Sequence, residues 1–100
     1  MPAYMIVQLK VTDPDKFARY REAVPAVVEA FGGRYIVRGA PVEVLEGGHD
    51  GRRLVLFEFP SVDVIRRFWN SPEYAKVKPL RENAAEVDAW AVPGVESAAR

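Results

Sequence analysis

Residues 4–11 sort into two faces by simple alternation. Met5, Val7, Leu9 and Val11 fall on one side and Tyr4, Ile6, Gln8 and Lys10 on the other. A period of two in a run of aromatic, β-branched and long aliphatic side chains predicts a strand. The period then changes. After Asp13-Pro14, a helix-start pair, apolar residues recur as Phe17, Tyr20, Val24, Val27, Val28 and Phe31, a stripe about 100° wide of the kind that lets a helix lie on a sheet. Pro25 lies inside that stripe and should kink the helix without ending it, since the apolar spacing continues past it. Gly32-Gly33 supplies the left-handed stop.

Alternation resumes at 34–38 and again at 42–46, with Gly39-Ala40-Pro41 between them read as a bulge or bend within one strand. A Gly-rich hairpin loop at 47–51 leads to a third strand at 53–59, apolar on both faces apart from Glu58. Pro60-Ser61 caps a second helix carrying Val62, Ile65, Phe68 and Trp69, and Ser71-Pro72-Glu73 starts a further helical turn with Tyr74 and Val77. Pro79 should reset that turn. A short helix through Ala84-Ala85 and a last strand at 87–92 complete the pattern, with a loose tail at 96–100.

The order β-α-β-β-α-β predicts one α+β domain over residues 1–95: a ferredoxin-like, four-stranded antiparallel sheet with its helices on one face. In that arrangement the second face should meet water and carry polar residues. Here the first and third strands are apolar on both sides, with Ile6, Leu54 and Leu56 added to the opposite sets. A second copy of the chain is the economical cover, giving a homodimer in which two sheets pair as an α+β barrel. An interface of ~1,000 Å² of apolar area contributes tens of kcal/mol gross, before the costs of association.

Composition narrows the partners. Fourteen basic and fourteen acidic side chains give a formal net charge of zero, which does not suit a general nucleic-acid binder or an anionic membrane surface. With no cysteine, disulfides, thiolate catalysis and thiolate metal sites drop out. No apolar run approaches the ~20 residues of a membrane span and no leader pattern opens the chain, so a cytoplasmic protein is expected.

Several segments, taken together, resemble a known family. These are Val11-Thr12-Asp13-Pro14, Gly32-Gly33-Arg34-Tyr35, Val37-Arg38-Gly39, Val44-Leu45-Glu46-Gly47, Leu56-Phe57-Glu58-Phe59-Pro60-Ser61 and Ser71-Pro72-Glu73-Tyr74. In this order and spacing the sequence is similar to the domain of unknown function 1330 family, small bacterial proteins of the dimeric α+β barrel superfamily. The resemblance implies a ferredoxin-like protomer and a face-to-face homodimer, and it implies no activity. The wider superfamily includes cofactor-free monooxygenases, lactone isomerases and haem-dependent enzymes, an analogy of fold alone.

Candidate chemistry is sparse. Glu58 sits between Phe57 and Phe59, where burial would raise a carboxyl pKa and suit it to proton transfer; the structural alternative is an ion pair with Arg38 or Arg53 across the hairpin. Tyr20 is the second catalytic candidate. Gln8, Tyr35, Arg38 and Trp69 are candidate ligand contacts in an aromatic cleft between helices and sheet that would suit a small planar organic acid. His49 is the lone histidine and lies in a turn, where solvation is its ordinary fate, so neither a metal site nor a cofactor is expected. Three functions remain open: a cofactor-independent enzyme acting on a small organic molecule, a non-catalytic small-molecule binder, or a structural module.

Overall fold

A computed structural model describes residues 2–95. Its elements run β1 (Ala3–Val11), α1 (Pro14–Ala30), β2 (Arg34–Ala40), β3 (Arg53–Phe59), α2 (Val62–Trp69), α3 (Pro72–Val77) and β4 (Ala85–Pro93), with one 3₁₀ turn, Lys78–Arg81, after α3. The strands form one antiparallel sheet in the order β2-β3-β1-β4. This is the ferredoxin-like α+β arrangement that the alternation of periods implied. The tail expected at 96–100 lies outside the described residues.

Local chemistry accounts for the boundaries. The Asp13 carboxylate accepts from the Lys16 N–H at 3.2 Å, and Ser61 Oγ accepts from Val64 N–H at 3.1 Å, each satisfying a free donor of a first helical turn. Ser71 serves two helices: its hydroxyl donates to the Phe68 carbonyl at 2.8 Å and accepts from Tyr74 N–H at 3.0 Å. α1 runs unbroken through Pro25. It stops where Gly32 takes φ 76° and Gly33 N–H reaches back to the Val28 carbonyl at 2.9 Å, the glycine-dependent closure of a helix end.

All helices cover one side of the sheet. Ala3, Met5, Val7 and Leu9 of β1, with Phe57 and Phe59 of β3, are buried against Phe17, Val24, Val28, Ile65, Phe68 and Tyr74. The rings of Phe59, Phe68 and Tyr74 form a continuous stack, with centroids 5.3 Å and 4.8 Å apart; each contributes roughly 1.5–3 kcal/mol by leaving water. The opposite face carries Tyr4, Ile6, Leu54, Leu56 and Trp90. Trp90 is 47% exposed and Ile36 43%, and the domain is a slab only 16 Å thick across its Cα positions.

Two expectations are corrected. Residues 42–46 do not extend the second strand: β2 ends at Ala40, opposite Leu54, and β3 has only Arg53 beyond that point, so the segment has no strand to pair with. Val42, Val44 and Leu45 are exposed there, Leu45 at 89%. Nor is there a helix through Ala84-Ala85. Asn83 adopts φ 59°, the Ala84 carbonyl accepts from both Thr12 and Asp13 N–H groups, and Ala85 already pairs with Val11, so the last strand opens two residues earlier than expected. The interruption near Gly39 is a bulge, as expected, and a second irregularity lies between Tyr35 and Val37.

Candidate functional site

Between the helix layer and the sheet lies a cleft of about 800 Å³, within the range of small-molecule sites. Its floor is apolar, formed by Met5, Val7, Leu9, Val55, Phe57 and Ala89. One wall is α1, presenting Phe17, Tyr20, Arg21 and Val24, and Tyr74 and Trp69 close the back. Tyr35 and Arg38 form the opposing rim. The irregularity between Tyr35 and Val37 matters here, because it leaves Tyr35, opposite Phe57, and Arg38, opposite Val55, both on the helix side although they are three residues apart.

The aromatic walls hold one another in place. Tyr35 lies 4.4 Å from Phe57, and Trp69 lies 5.1 Å from Tyr74, centroid to centroid. The Arg38 guanidinium sits over the Tyr35 ring at 4.3 Å and Arg21 over Phe17 at 5.4 Å, so both cations are packed on rings beside the opening. At the mouth, Arg52 donates to Asp50 at 2.8 Å and also to Asp88 of β4, strapping the β2–β3 loop across the end of β1.

The polar groups inside are phenols. Tyr20 and Tyr74 share a hydrogen bond of 2.8 Å between their hydroxyls. Burial, and then the neighbouring Tyr74, push the Tyr20 phenol far above the ordinary tyrosine value. Burial also raises Tyr35, against the opposing pull of Arg38. Both are therefore neutral hydrogen-bond donors at physiological pH. The described residues that line the cleft include one carboxylate, Asp50, which Arg52 already holds. No group of three or more His, Cys, Asp or Glu side chains with metal-binding placement occurs among the described residues.

The six candidate residues divide between the two faces of the sheet. Tyr20, Tyr35, Arg38 and Trp69 converge on the cleft. Gln8 and Glu58 do not: Gln8 pairs with Leu54 and Asp88 on the open face, and Glu58 lies opposite Tyr4 on that same face. The Glu58 carboxylate accepts from Arg34 at 2.9 Å, directly across the β2–β3 pair, so its partner is Arg34 and not Arg38 or Arg53. His49 is also less solvated than a turn position suggests. Its side chain is 16% exposed, and Nδ1 accepts from Gly51 N–H at 3.1 Å.

Arg21 and the Asp50–Arg52 strap were not among the residues that the sequence marks for a site, whereas Tyr74 belongs to its aromatic set. Arg21 carried a signal, since it falls four residues after Phe17 and three before Val24 and so lies on their stripe. The strap carried none, because it depends on a loop reaching a strand that is distant in sequence.

The profile of the family described as Domain of unknown function (DUF1330) matches residues 2–95. Among curated proteins no match is found. Among solved structures, a protein of unknown function from Rhodopseudomonas palustris is similar over 95% of this chain and 83% of its own, at 21% identity and a TM-score of 0.71. SnoaB, a cofactor-independent oxygenase from Streptomyces nogalater, is similar at 11% identity and a TM-score of 0.58, covering 96% of this chain and 95% of its own. A protein from Arabidopsis thaliana, At3g17210, is similar at 11% identity and a TM-score of 0.68, over 94% of this chain and 96% of its own. At these identities the likeness is one of fold.

Proposed function

We propose, from the premise that the chain belongs to the DUF1330 family, that it is a homodimer with a small planar organic molecule bound in the cleft of each protomer. The observation that carries the reading is the cleft itself: an apolar, ring-walled space of about 800 Å³ with Tyr20 and Tyr35 as neutral donors and Arg21 and Arg38 at its rim. Apolar walls select a flat ligand, and the few polar groups orient it. The dimer is supported by the apolar open face, with Trp90, Ile36 and Val92 exposed, since a surface of that kind is normally covered.

Any chemistry would be cofactor-independent and would act on a ligand that supplies its own reactive carbon, with Tyr20 as the hydroxyl nearest the reaction. Similarity of fold to a cofactor-independent oxygenase is compatible with this. The second reading, binding without turnover, is favoured by the lack of an unengaged carboxylate or imidazole among the described lining residues. A thermal-shift screen of planar aromatic acids and phenols, followed by aerobic incubation of the hits without added cofactor, separates the two. Stabilisation with product formation that Tyr20→Phe abolishes supports the enzyme; stabilisation alone supports the binder. A monomer at micromolar concentration, or no stabilisation by any planar ligand, overturns the proposal.

A further inference from the structure

The register of the sheet orders the cleft by depth. Arg53 lies opposite Leu9 at the mouth, Arg38 stands in the next row with Val55 and Val7, and Tyr35 in the row beyond with Phe57 and Met5. All three face the helix side and line the cleft. Four residues of strand separate the first row from the third, about 13 Å at ~3.3 Å per residue. Arg53 Nη1 donates to the Gly39 carbonyl at 3.4 Å, which ties its guanidinium to the residue next to Arg38. On the facing wall, the Arg21 guanidinium lies over the Phe17 ring.

Three guanidinium groups from three elements thus surround one apolar opening, and none of them has a carboxylate partner among the described residues. The other cations nearby are placed differently. Arg52 holds both Asp50 and Asp88. Lys10 lies opposite Glu86, on the open face by alternation. Arg81 packs over the Tyr20 and Trp69 rings and does not line the cleft. In a chain whose charges balance overall, an uncompensated positive mouth is a local feature, and an anion relieves like charges gathered at an apolar entrance. Farther in, Met5 and Phe57 are buried and the polar groups are the paired phenols of Tyr20 and Tyr74. A second charge there would lose its water without gaining a counter-ion.

We propose that Arg21, Arg38 and Arg53 form a carboxylate subsite at the mouth, so that the cleft takes a flat aromatic acid with its one carboxylate outward and its ring inward against Tyr35 and Phe57. This rests on the ligand-binding reading of the cleft and deepens it by assigning the ligand's charge to one end. The planar guanidinium fork matches the two oxygens of a carboxylate, which makes arginine the suited residue for this recognition. The three rows, about 13 Å long, accommodate a carboxylate and two fused rings end to end. Arginine stays charged at any physiological pH, so the subsite needs no proton transfer to work.

Two probes of the same shape separate charge from fit: 2-naphthoate and its uncharged counterpart 2-naphthamide. In calorimetric titrations of the intact protein at low salt, 2-naphthoate should bind at least roughly tenfold more tightly. The preference should shrink as salt is raised, because the charges sit at a solvated rim. Arg21→Gln, Arg38→Gln and Arg53→Gln should each reduce it, and the triple variant should erase it while 2-naphthamide binds as to the wild type. All three side chains are exposed, so the fold should survive; if the triple variant does not fold, the single variants decide by the same ratio. 2,6-Naphthalenedicarboxylate, charged at both ends, should bind at least roughly tenfold more weakly than 2-naphthoate. Equal affinity of the wild type for naphthoate and naphthamide, or a preference that survives the triple variant, overturns the subsite and leaves the cleft as a binding site. A dicarboxylate that binds as tightly as 2-naphthoate overturns the single-ended orientation. Absence of saturable binding of either probe overturns the cleft reading and the subsite together.

Discussion

Replacing Trp90 by alanine removes the largest exposed ring of the open sheet face without touching the core. Trp90 pairs with Ile6 across β1–β4 and keeps 47% of its surface in the isolated protomer. A tryptophan presents up to about 250 Å², so covering the exposed part removes roughly 120 Å² from water and contributes about 3 kcal/mol per copy at ~25 cal/mol per Å². A two-fold dimer carries the residue twice. Allowing about half for imperfect coverage and repacking, the substitution should weaken dimerisation by about 3 kcal/mol, or roughly 100-fold in dissociation constant. Sedimentation equilibrium over a concentration series measures this, and urea unfolding of the dissociated variant checks that the protomer still folds. Glu22→Ala, on the solvent side of α1, serves as the control and should change nothing. An unchanged dissociation constant for Trp90→Ala would show that this face does not meet a second copy.

Other expectations concern the protomer. A Cβ on Gly33 would stand 2.6 Å from the Phe59 ring, which is 1% exposed, so Gly33→Ala should cost about 1–3 kcal/mol in chemical denaturation; unchanged stability would mean the helix end has room to move. Glu58→Gln should leave ligand affinity in the cleft untouched and cost at most about 1 kcal/mol, because Arg34 is 71% exposed; a loss of binding or turnover would return Glu58 to the site. Because the folded state holds the Tyr20 phenol above its unfolded value, the protein binds more protons folded than unfolded at alkaline pH. Stability should therefore be full below the ordinary tyrosine value of about 10 and fall progressively above it. Thermal melts across that range should show a shallower fall for Tyr20→Phe.

Element order, caps and the apolar stripe of α1 were legible from spacing because they are local: Asp13, Ser61, Ser71 and Gly32 act within a few residues of themselves. The surplus of apolar side chains on two sheet faces was legible for the same reason, since period two alone sorts them. The site was legible only in part. Tyr20 and Trp69 could be placed from helical stripes. Glu58 and Gln8 lie on the face away from the cleft, which spacing could not tell, because alternation separates two faces without saying which one the helices cover. Tyr35 and Arg38 both face the cleft by way of a bulge between Tyr35 and Val37 that no repeat predicts. Arg81 lies in an irregular turn where periodicity is silent, and its contact with the Tyr20 ring of α1 spans just over sixty residues of chain.

The central position of β1 has a consequence for how the chain is made. Within this sheet β1 is made before both of its neighbours, β3 and β4, with Ala3 finally opposite Pro93. Until β4 emerges, one edge of β1 offers unpaired N–H and C=O groups beside the buried row of Met5, Val7 and Leu9. The sheet is therefore completed only once β4 has been made, through pairings of high sequence separation that are slow to form. During that interval the nascent chain is open to strand exchange with a neighbour on the same message.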